Sequence, residues 1–370
     1  MSAGTESNPA PSLAIETWIG IKGIDHARTD GHGISLSQEE KSMYKPPKKK
    51  PLCPPEQKPR YEDVIYAEVK LDNGEPYTLK MDIYQSEEQT VPGPCIVYIF
   101  GGGWSWGEYK QVTQKAVYCR DLVRLTSEGY TVVCPDYRLI SQSIFPACVH
   151  DIKGCIRFLK ANGRDYLIDP ERIGALGNSA GGHLAAMISI GADQPEIEGT
   201  VGVNLEYSSG VKAAALFYAP SDLWDSVLAS AKKIDGPAAD LTGTEIEELS
   251  NDNTDSILAL ACGFVGPEKN IKRLAEVIQS GDTSDPDWKY AELLRKLSPI
   301  TYISEKNPPV CLFHGARDPI VDPADSEKLY HALIEAGADA TLICYSYGGH
   351  GPSLGEQVDR FAYEFLKDRL

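Results

Sequence analysis

Apolar and polar positions alternate along Val64–Lys70 and again along Tyr77–Tyr84, with Asp72-Asn73-Gly74 between them, which predicts two strands joined as a hairpin. The pattern then changes. Cys95–Phe100 is an unbroken apolar run, the form expected of a strand buried on both faces, and Thr131–Cys134, Ala213–Tyr218 and Pro309–Phe313 read as further strands. Ala340–Tyr345 reads as a further strand. Between the strands the period lengthens to that of helices. A helical stretch covers Val112–Ser127 and is stopped by Gly129. A second, Ala147–Asn162, puts Ile152, Ile156 and Leu159 on one face, with Gly163 at its end. Further helices are expected over Ser326–Ala336 and Gln357–Leu370, the last with Val358, Phe361, Phe365 and Leu366 on a shared face. Strand and helix alternating in this way predict a mostly parallel central sheet flanked by helices on both sides.

Two stretches break the rhythm. Residues 1–60 carry many prolines and little periodicity, and include the run Lys48-Lys49-Lys50; they predict an N-terminal extension, partly disordered or packed as an arm. Trp18, Ile19, Ile21 and Ile24 are its candidate anchors. The stretch from about 222 to 297 is acidic and mainly helical in pattern (Glu245–Leu249, Ile257–Cys262, Ile271–Ile278), with a loop near 280–287. It is expected as a cap-like insertion above the C-terminal edge of the sheet, inside a catalytic domain spanning 61–370. Ligands of open α/β sheets sit at that edge.

Composition narrows the function. A net charge of -17 argues against nucleic acid or an anionic membrane as partner. No apolar run is long enough to cross a bilayer, and the first residues lack a charged start followed by an apolar core, so a cytoplasmic protein is expected. The nine cysteines are scattered with no Cys-x-x-Cys pair, which fits reduced core residues better than a metal or disulfide framework. His26 and His32 lie near Asp25 and Asp30 without any recognised ligand spacing, so no metal and no cofactor is expected. A homo-oligomer is compatible with the sequence.

The chemistry centres on Gly177-Asn178-Ser179-Ala180-Gly181, a Gly-x-Ser-x-Gly turn between a short buried strand and a helix opening at Ala180. That form holds a serine on a sharp strand-to-helix turn and aims the helix N-terminus at the reacting centre. A serine hydroxyl needs a base to take its proton. His350, among glycines just after a strand, is the candidate base, and Asp318, after the preceding strand, is the residue that would orient it. Asp322, four residues on, is the rival to Asp318. His183 lies on the helix after Ser179 and is expected to be structural. Backbone N–H groups of Ala180, Gly102 and Gly103 would form an oxyanion hole. Trp104, Trp106 and Trp224 are candidate substrate-binding residues for an aryl or medium-sized acyl group, while Asp136, Arg138 and Asp151 suit a charge network that braces loops.

The chain resembles the α/β-hydrolase superfamily, close to carboxylesterases of the hormone-sensitive-lipase and bacterial feruloyl/acetyl esterase type. The motifs are Phe100-Gly101-Gly102-Gly103-Trp104, Asp136-Tyr137-Arg138-Leu139, Pro146-Ala147 with Asp151, Ile168-Asp169-Pro170-Glu171-Arg172-Ile173, the Ser179 turn, Leu297-Ser298-Pro299-Ile300, the Asp318 turn and His350-Gly351. They span about residues 61–370. The resemblance implies an α/β-hydrolase fold with a helical cap insertion, a Ser179–His350–Asp318 triad, and a carboxylic ester hydrolase acting on small-molecule esters through an acyl-enzyme. An amidase or peptidase of the arylformamidase kind, or a non-catalytic member of the fold, would be the alternatives. Phe100 departs from the family, which usually places a histidine there to brace the glycine loop by hydrogen bonding.

Overall fold

A computed structural model describes residues 58–110, 122–235, 257–266, 268–351 and 356–370. Nearly all of the expected N-terminal extension, the beginning of the helix expected at Val112, and the helical pattern at Glu245–Leu249 lie outside the described residues.

Among the described residues, eight strands form one sheet: β1 (Tyr61–Lys70), β2 (Pro76–Tyr84), β3 (Gly93–Ile99), β4 (Thr131–Pro135), β5 (Ile168–Asn178), β6 (Ala214–Phe217), β7 (Val310–Gly315) and β8 (Ala340–Tyr345). Their order is β1-β2-β4-β3-β5-β6-β7-β8. The hairpin β1/β2 and the β2/β4 pair are antiparallel, and every pair from β4 through β8 is parallel. The apolar runs account for this division. β3, β4, β6 and β7 are buried almost throughout, as parallel strands covered on both faces must be. β1 sits at an edge and keeps several exposed positions.

The chain leaves β3 for β4 on one side and returns with β5 on the other. The C-terminal ends of β3 and β5 therefore flank a topological switch point, where no connection crosses and a crevice opens.

Helices α1 (Ala147–Asn162) and α2 (Ala180–Ser189) pack on the sheet, and α2 is buried along its whole length. Between β6 and β7 the chain forms α3 (Leu223–Asp235), α4 (Ile257–Ala261), α5 (Ile271–Ser280) and α6 (Trp288–Lys296), the helical content expected of the insertion. Asn270 caps α5 by accepting from the amides of Lys272 and Arg273. Helices α7 (Pro323–Glu335) and α8 (Glu356–Lys367) complete the alternation.

The described part of the helical stretch expected over Val112–Ser127 is a 3-10 helix, Leu122–Glu128, in which Thr126 and Ser127 donate their hydroxyls to carbonyls three residues back, at 2.8 and 2.7 Å. One local expectation needs correction. On α8 the buried face is Val358, Ala362 and Leu366, at i, i+4 and i+8, whereas Phe361 lies on the flank and is exposed. Six cysteines (Cys95, Cys134, Cys148, Cys155, Cys262 and Cys311) are free and buried, and Cys344 on the edge strand β8 is exposed.

Candidate active site

Ser179 stands between β5 and α2 with φ 53° and ψ -124°, a conformation an L-residue adopts only when its surroundings impose it. The surroundings do so by crowding. A Cβ on Gly177 would fall 2.2 Å from the Gly181 carbonyl oxygen, and one on Gly181 would fall 2.1 Å from that of Ile99. Only glycine lets β5, α2 and the end of β3 approach so closely. The amide of Ser179 donates to the Phe217 carbonyl (2.9 Å), tying the turn to β6.

His350 follows β8 and Asp318 follows β7. Their two loops are laced together: Arg317 N donates to the Gly348 carbonyl (2.9 Å), and a Cβ on Gly315 would strike that same oxygen at 2.3 Å. The result brings the three sequence candidates together. His350 Nε2 is 3.0 Å from Ser179 Oγ, and His350 Nδ1 is 2.7 Å from Asp318 Oδ2. An ionised carboxylate only accepts, so Nδ1 carries a proton, and Nε2 of the neutral ring is then free to accept from the serine hydroxyl.

The other oxygen of Asp318, Oδ1, accepts from the amides of Ile320 (2.8 Å) and Val321 (3.0 Å). Burial alone would raise this carboxyl, but hydrogen bonds from His314 and His350 outweigh it and hold it well below the usual carboxylate range. Asp322 is elsewhere: its side chain accepts from Ala324 N and caps α7.

The glycine loop after β3 lies beside this group. Gly101 is pressed against Asn178, and Gly102 and Gly103 take φ 113° and 56°. Among the described residues, the amides of Gly102, Gly103 and Ala180 donate to no other protein group, which leaves them available to an oxyanion. Phe100 braces the loop in another way than a histidine would. Its ring stacks on Tyr137 (centroids 4.2 Å apart), and its carbonyl accepts from the Tyr137 hydroxyl at 2.9 Å. Tyr137 lies in sequence between Asp136 and Arg138, the residues expected with Asp151 to form a charge network. Arg138 forks onto the fully buried Asp151 through Nε (2.9 Å) and Nη2 (2.7 Å), while Tyr77 donates to Asp136 at 2.7 Å. Burial pushes the Asp136 carboxyl up to about 6. Shortly beyond, Ile140 N donates to the Trp104 carbonyl (2.9 Å), which ties the segment after Arg138 to the end of the glycine loop.

The three tryptophans have separate fates. Trp104 is buried and lines the cavity beside Ser179, and its Nε1 donates to His183 Nδ1 at 3.3 Å. His183 Nε2 in turn donates to the Leu297 carbonyl (2.7 Å), and burial pushes its pKa down to about 4, so it is a neutral bridge between loop and insertion. Trp106 is 63% exposed and is not among the residues lining that cavity. Trp224 packs edge-on against Trp288, centroids 5.8 Å apart, and does not line it either. From α3 the cavity is lined by Leu223, Asp225, Ser226, Leu228, Ala229, Ser230 and Lys232, whereas the Trp224 ring turns to Trp288.

The cavity measures about 460 Å³ and runs from Ser179 and Gly103 between α3, α4 and α7. Leu223, Leu228, Ile257 and Leu258 give it one aliphatic wall; Asp322, Asp325 and Lys328 of the α7 end give it a polar one. Lys328 bridges Asp222 (2.5 Å) and Asp225, which fastens α7 to α3. Burial pushes Asp325 up to about 7. Sequence reasoning passed over Tyr218, whose ring backs His350 at 4.5 Å and whose φ is 36°; its place just beyond the end of β6 was the available signal. Among the described residues there is no group of three or more His, Cys, Asp or Glu placed to hold a metal ion, and no helix long and apolar enough to cross a membrane.

Known proteins share this architecture. The BD-FAE family model matches residues 81–260 and 275–333. The chain is similar to Esterase LipQ of Mycobacterium tuberculosis, 26% identical over 263 residues that make up 70% of this chain and 50% of that protein. It is likewise similar to a probable isoprenylcysteine alpha-carbonyl methylesterase, ICME, of Oryza sativa subsp. japonica, 26% identical over 73% of this chain and 55% of the relative. The chain thus spans about half the length of the curated relatives it matches. Among solved structures, a truncated carbohydrate esterase from gut microbiota superposes with a TM-score of 0.63 at 25% identity, covering 85% of this chain and 98% of that one.

Proposed function

Because this chain belongs to the BD-FAE family, we propose that it is a serine ester hydrolase, with Ser179 as nucleophile, His350 as general base and Asp318 as the carboxylate that orients it. The observation that carries this reading is the unbroken relay from Ser179 Oγ through His350 to Asp318, at 3.0 and 2.7 Å. The printed names of the relatives, esterases and methylesterases, agree with it.

In the first half-reaction Ser179 Oγ attacks the ester carbonyl carbon while His350 Nε2 takes the hydroxyl proton. The carbonyl oxygen gains negative charge, which the amides of Gly102, Gly103 and Ala180 stabilise. Collapse breaks the bond to the alcohol, which leaves with the proton from His350. In the second half, water gives its proton to His350, attacks the acyl-enzyme and releases the carboxylic acid as Ser179 is reprotonated. Asp318 stays ionised throughout and stabilises the imidazolium that forms twice per cycle.

A cavity of about 460 Å³ with one aliphatic wall suits a small to medium acyl or aryl group. The enzyme would take small-molecule esters in the cytoplasm, with no metal or cofactor in the reaction. The test is turnover of p-nitrophenyl esters from acetate to decanoate, with an anilide and a formanilide alongside. The expected outcome is a maximum at acyl chains of about four to eight carbons, abolished in Ser179→Ala. Amide cleavage without ester preference would move the protein to an amidase reading.

A further inference from the structure

A second histidine lies behind the site. His314 lies at the end of β7, is 1% exposed, and reaches three partners. Its Nε2 is 3.0 Å from the Val321 carbonyl and 3.3 Å from Asp318 Oδ2, and its Nδ1 is 2.7 Å from Ser326 Oγ. A carbonyl and a carboxylate only accept, so the Nε2 proton is required by both neighbours on that side, and the Ser326 hydroxyl completes a neutral ring by donating to Nδ1. All the partners are satisfied by that one tautomer.

We propose that His314 is a positioning residue for the reaction, acting through Asp318 by a shared hydrogen bond to the oxygen that His350 uses. This rests on the reading of Ser179, His350 and Asp318 as one relay. With His314 in place, Asp318 Oδ2 accepts from two rings and Oδ1 from two amides, so the carboxylate cannot swivel. The same contact draws charge away from Oδ2 and so moderates how strongly Asp318 stabilises protonated His350. Removing His314 therefore has two consequences: the carboxylate loosens, which lowers turnover, and Oδ2 becomes a stronger acceptor, which raises the pH at which His350 loses its proton.

Among the described residues, these groups face His314 and His350. Asp318 meets both rings, and Arg317 on the same loop lies over Tyr347. Asp325 and Ser326 of α7 and Tyr218 beyond β6 are further described neighbours, with Lys328 and Asp222 acting on Asp325. Cys344 on β8 is paired in register with His314. Asp325, pushed up to about 7, is the neighbour whose own titration overlaps the range of interest. Asp325→Asn serves as the background that removes it.

The experiment is the pH dependence of kcat and kcat/KM on a p-nitrophenyl ester for wild type, His314→Leu and His314→Gln, repeated on Asp325→Asn. His314→Leu is expected to lower kcat by about 10- to 100-fold with KM within about threefold. Its acid limb is expected to move up by about half a pH unit, in both backgrounds. His314→Gln, which keeps an amide donor at similar reach, is expected to recover most of the loss. A leucine variant with wild-type kcat and an unmoved limb, or a glutamine variant as impaired as the leucine one, overturns the proposal. Should the leucine variant not fold, nitrogen-15 NMR of the wild type decides: a proton on Nε2 of His314 is expected, and a proton on Nδ1 alone overturns it. Ser179→Ala is assayed beside them. Turnover that survives in it sinks the underlying relay, whereas a dead Ser179→Ala with an unaffected His314→Leu sinks the positioning role alone.

Discussion

Ser179 is held at φ 53° by neighbours that leave no room for relaxation, and its partners are chosen by what each atom can donate or accept. Two of the aspartates near the site, Asp318 and Asp322, show how little of this a residue type reveals by itself. Asp318 accepts from two amides and two rings; Asp322 accepts from one amide and caps a helix. Asp318→Asn is accordingly expected to lower kcat by about 10⁴, because an amide in that place favours the wrong tautomer of His350, with the fold intact. Asp322→Asn should leave kcat within about twofold, since an asparagine side chain caps a helix as well as an aspartate does. Parallel turnover and thermal melts of the two variants check both.

The acid side of stability carries the same signature. Asp318 has a folded pKa below its unfolded one, so it contributes stability above the ordinary carboxylate range, and that contribution is lost as pH falls toward the folded value. Asp325 has the opposite sign. Its folded pKa of about 7 lies above the unfolded one, so its favourable contribution is full in acid and is lost as pH rises from the ordinary carboxylate range through 7. Asp325→Asn is expected to raise the melting temperature relative to wild type more at pH 8 than at pH 5. Equal shifts at both pH values would show that the carboxyl is not what responds.

At the scale of elements, glycine substitutions separate crowding from backbone strain. Gly74, in the β1/β2 hairpin, has φ 87° and open space where a Cβ would stand, so Gly74→Ala should cost about 1 kcal/mol from the backbone alone. Gly181→Ala would drive a methyl into the carbonyls of Ile99 and Phe100 and should cost well over about 3 kcal/mol or prevent folding. Denaturant midpoints of the two variants measure the contrast. The strands and most helices were legible in the chain because buried parallel strands need long apolar runs and packed helices need a period near 3.6. Where those demands slacken, reading failed. Phe361 sits on the flank of a helix where an aromatic ring can stay exposed. The cavity-lining part of α3 was hidden for a different reason: its residues, among them Asp225, Ser226, Leu228 and Lys232, mix charge and hydroxyls with aliphatic carbon, so no apolar stripe marks them, while the conspicuous Trp224 turns to Trp288.

The whole molecule brings the site together from the C-terminal ends of five parallel strands: β3 supplies the glycine loop, β5 the serine, β6 Tyr218, β7 Asp318 and β8 His350. Ser179 and His350 are 171 residues apart in sequence and meet only because β5 and β8 point the same way in one sheet. That meeting was foreseeable from the order of motifs; the support beneath it, from Tyr218 and from the Tyr137–Phe100 stack, was not, because it depends on which side chains the sheet brings face to face. The most direct test of the account is intact and peptide mass after reaction of the folded protein with a fluorophosphonate. It predicts a single adduct, on Ser179, that is absent in Ser179→Ala and slowed by orders of magnitude in His350→Ala. No adduct on the folded protein, or an adduct on another residue with Ser179 unmodified, would contradict it.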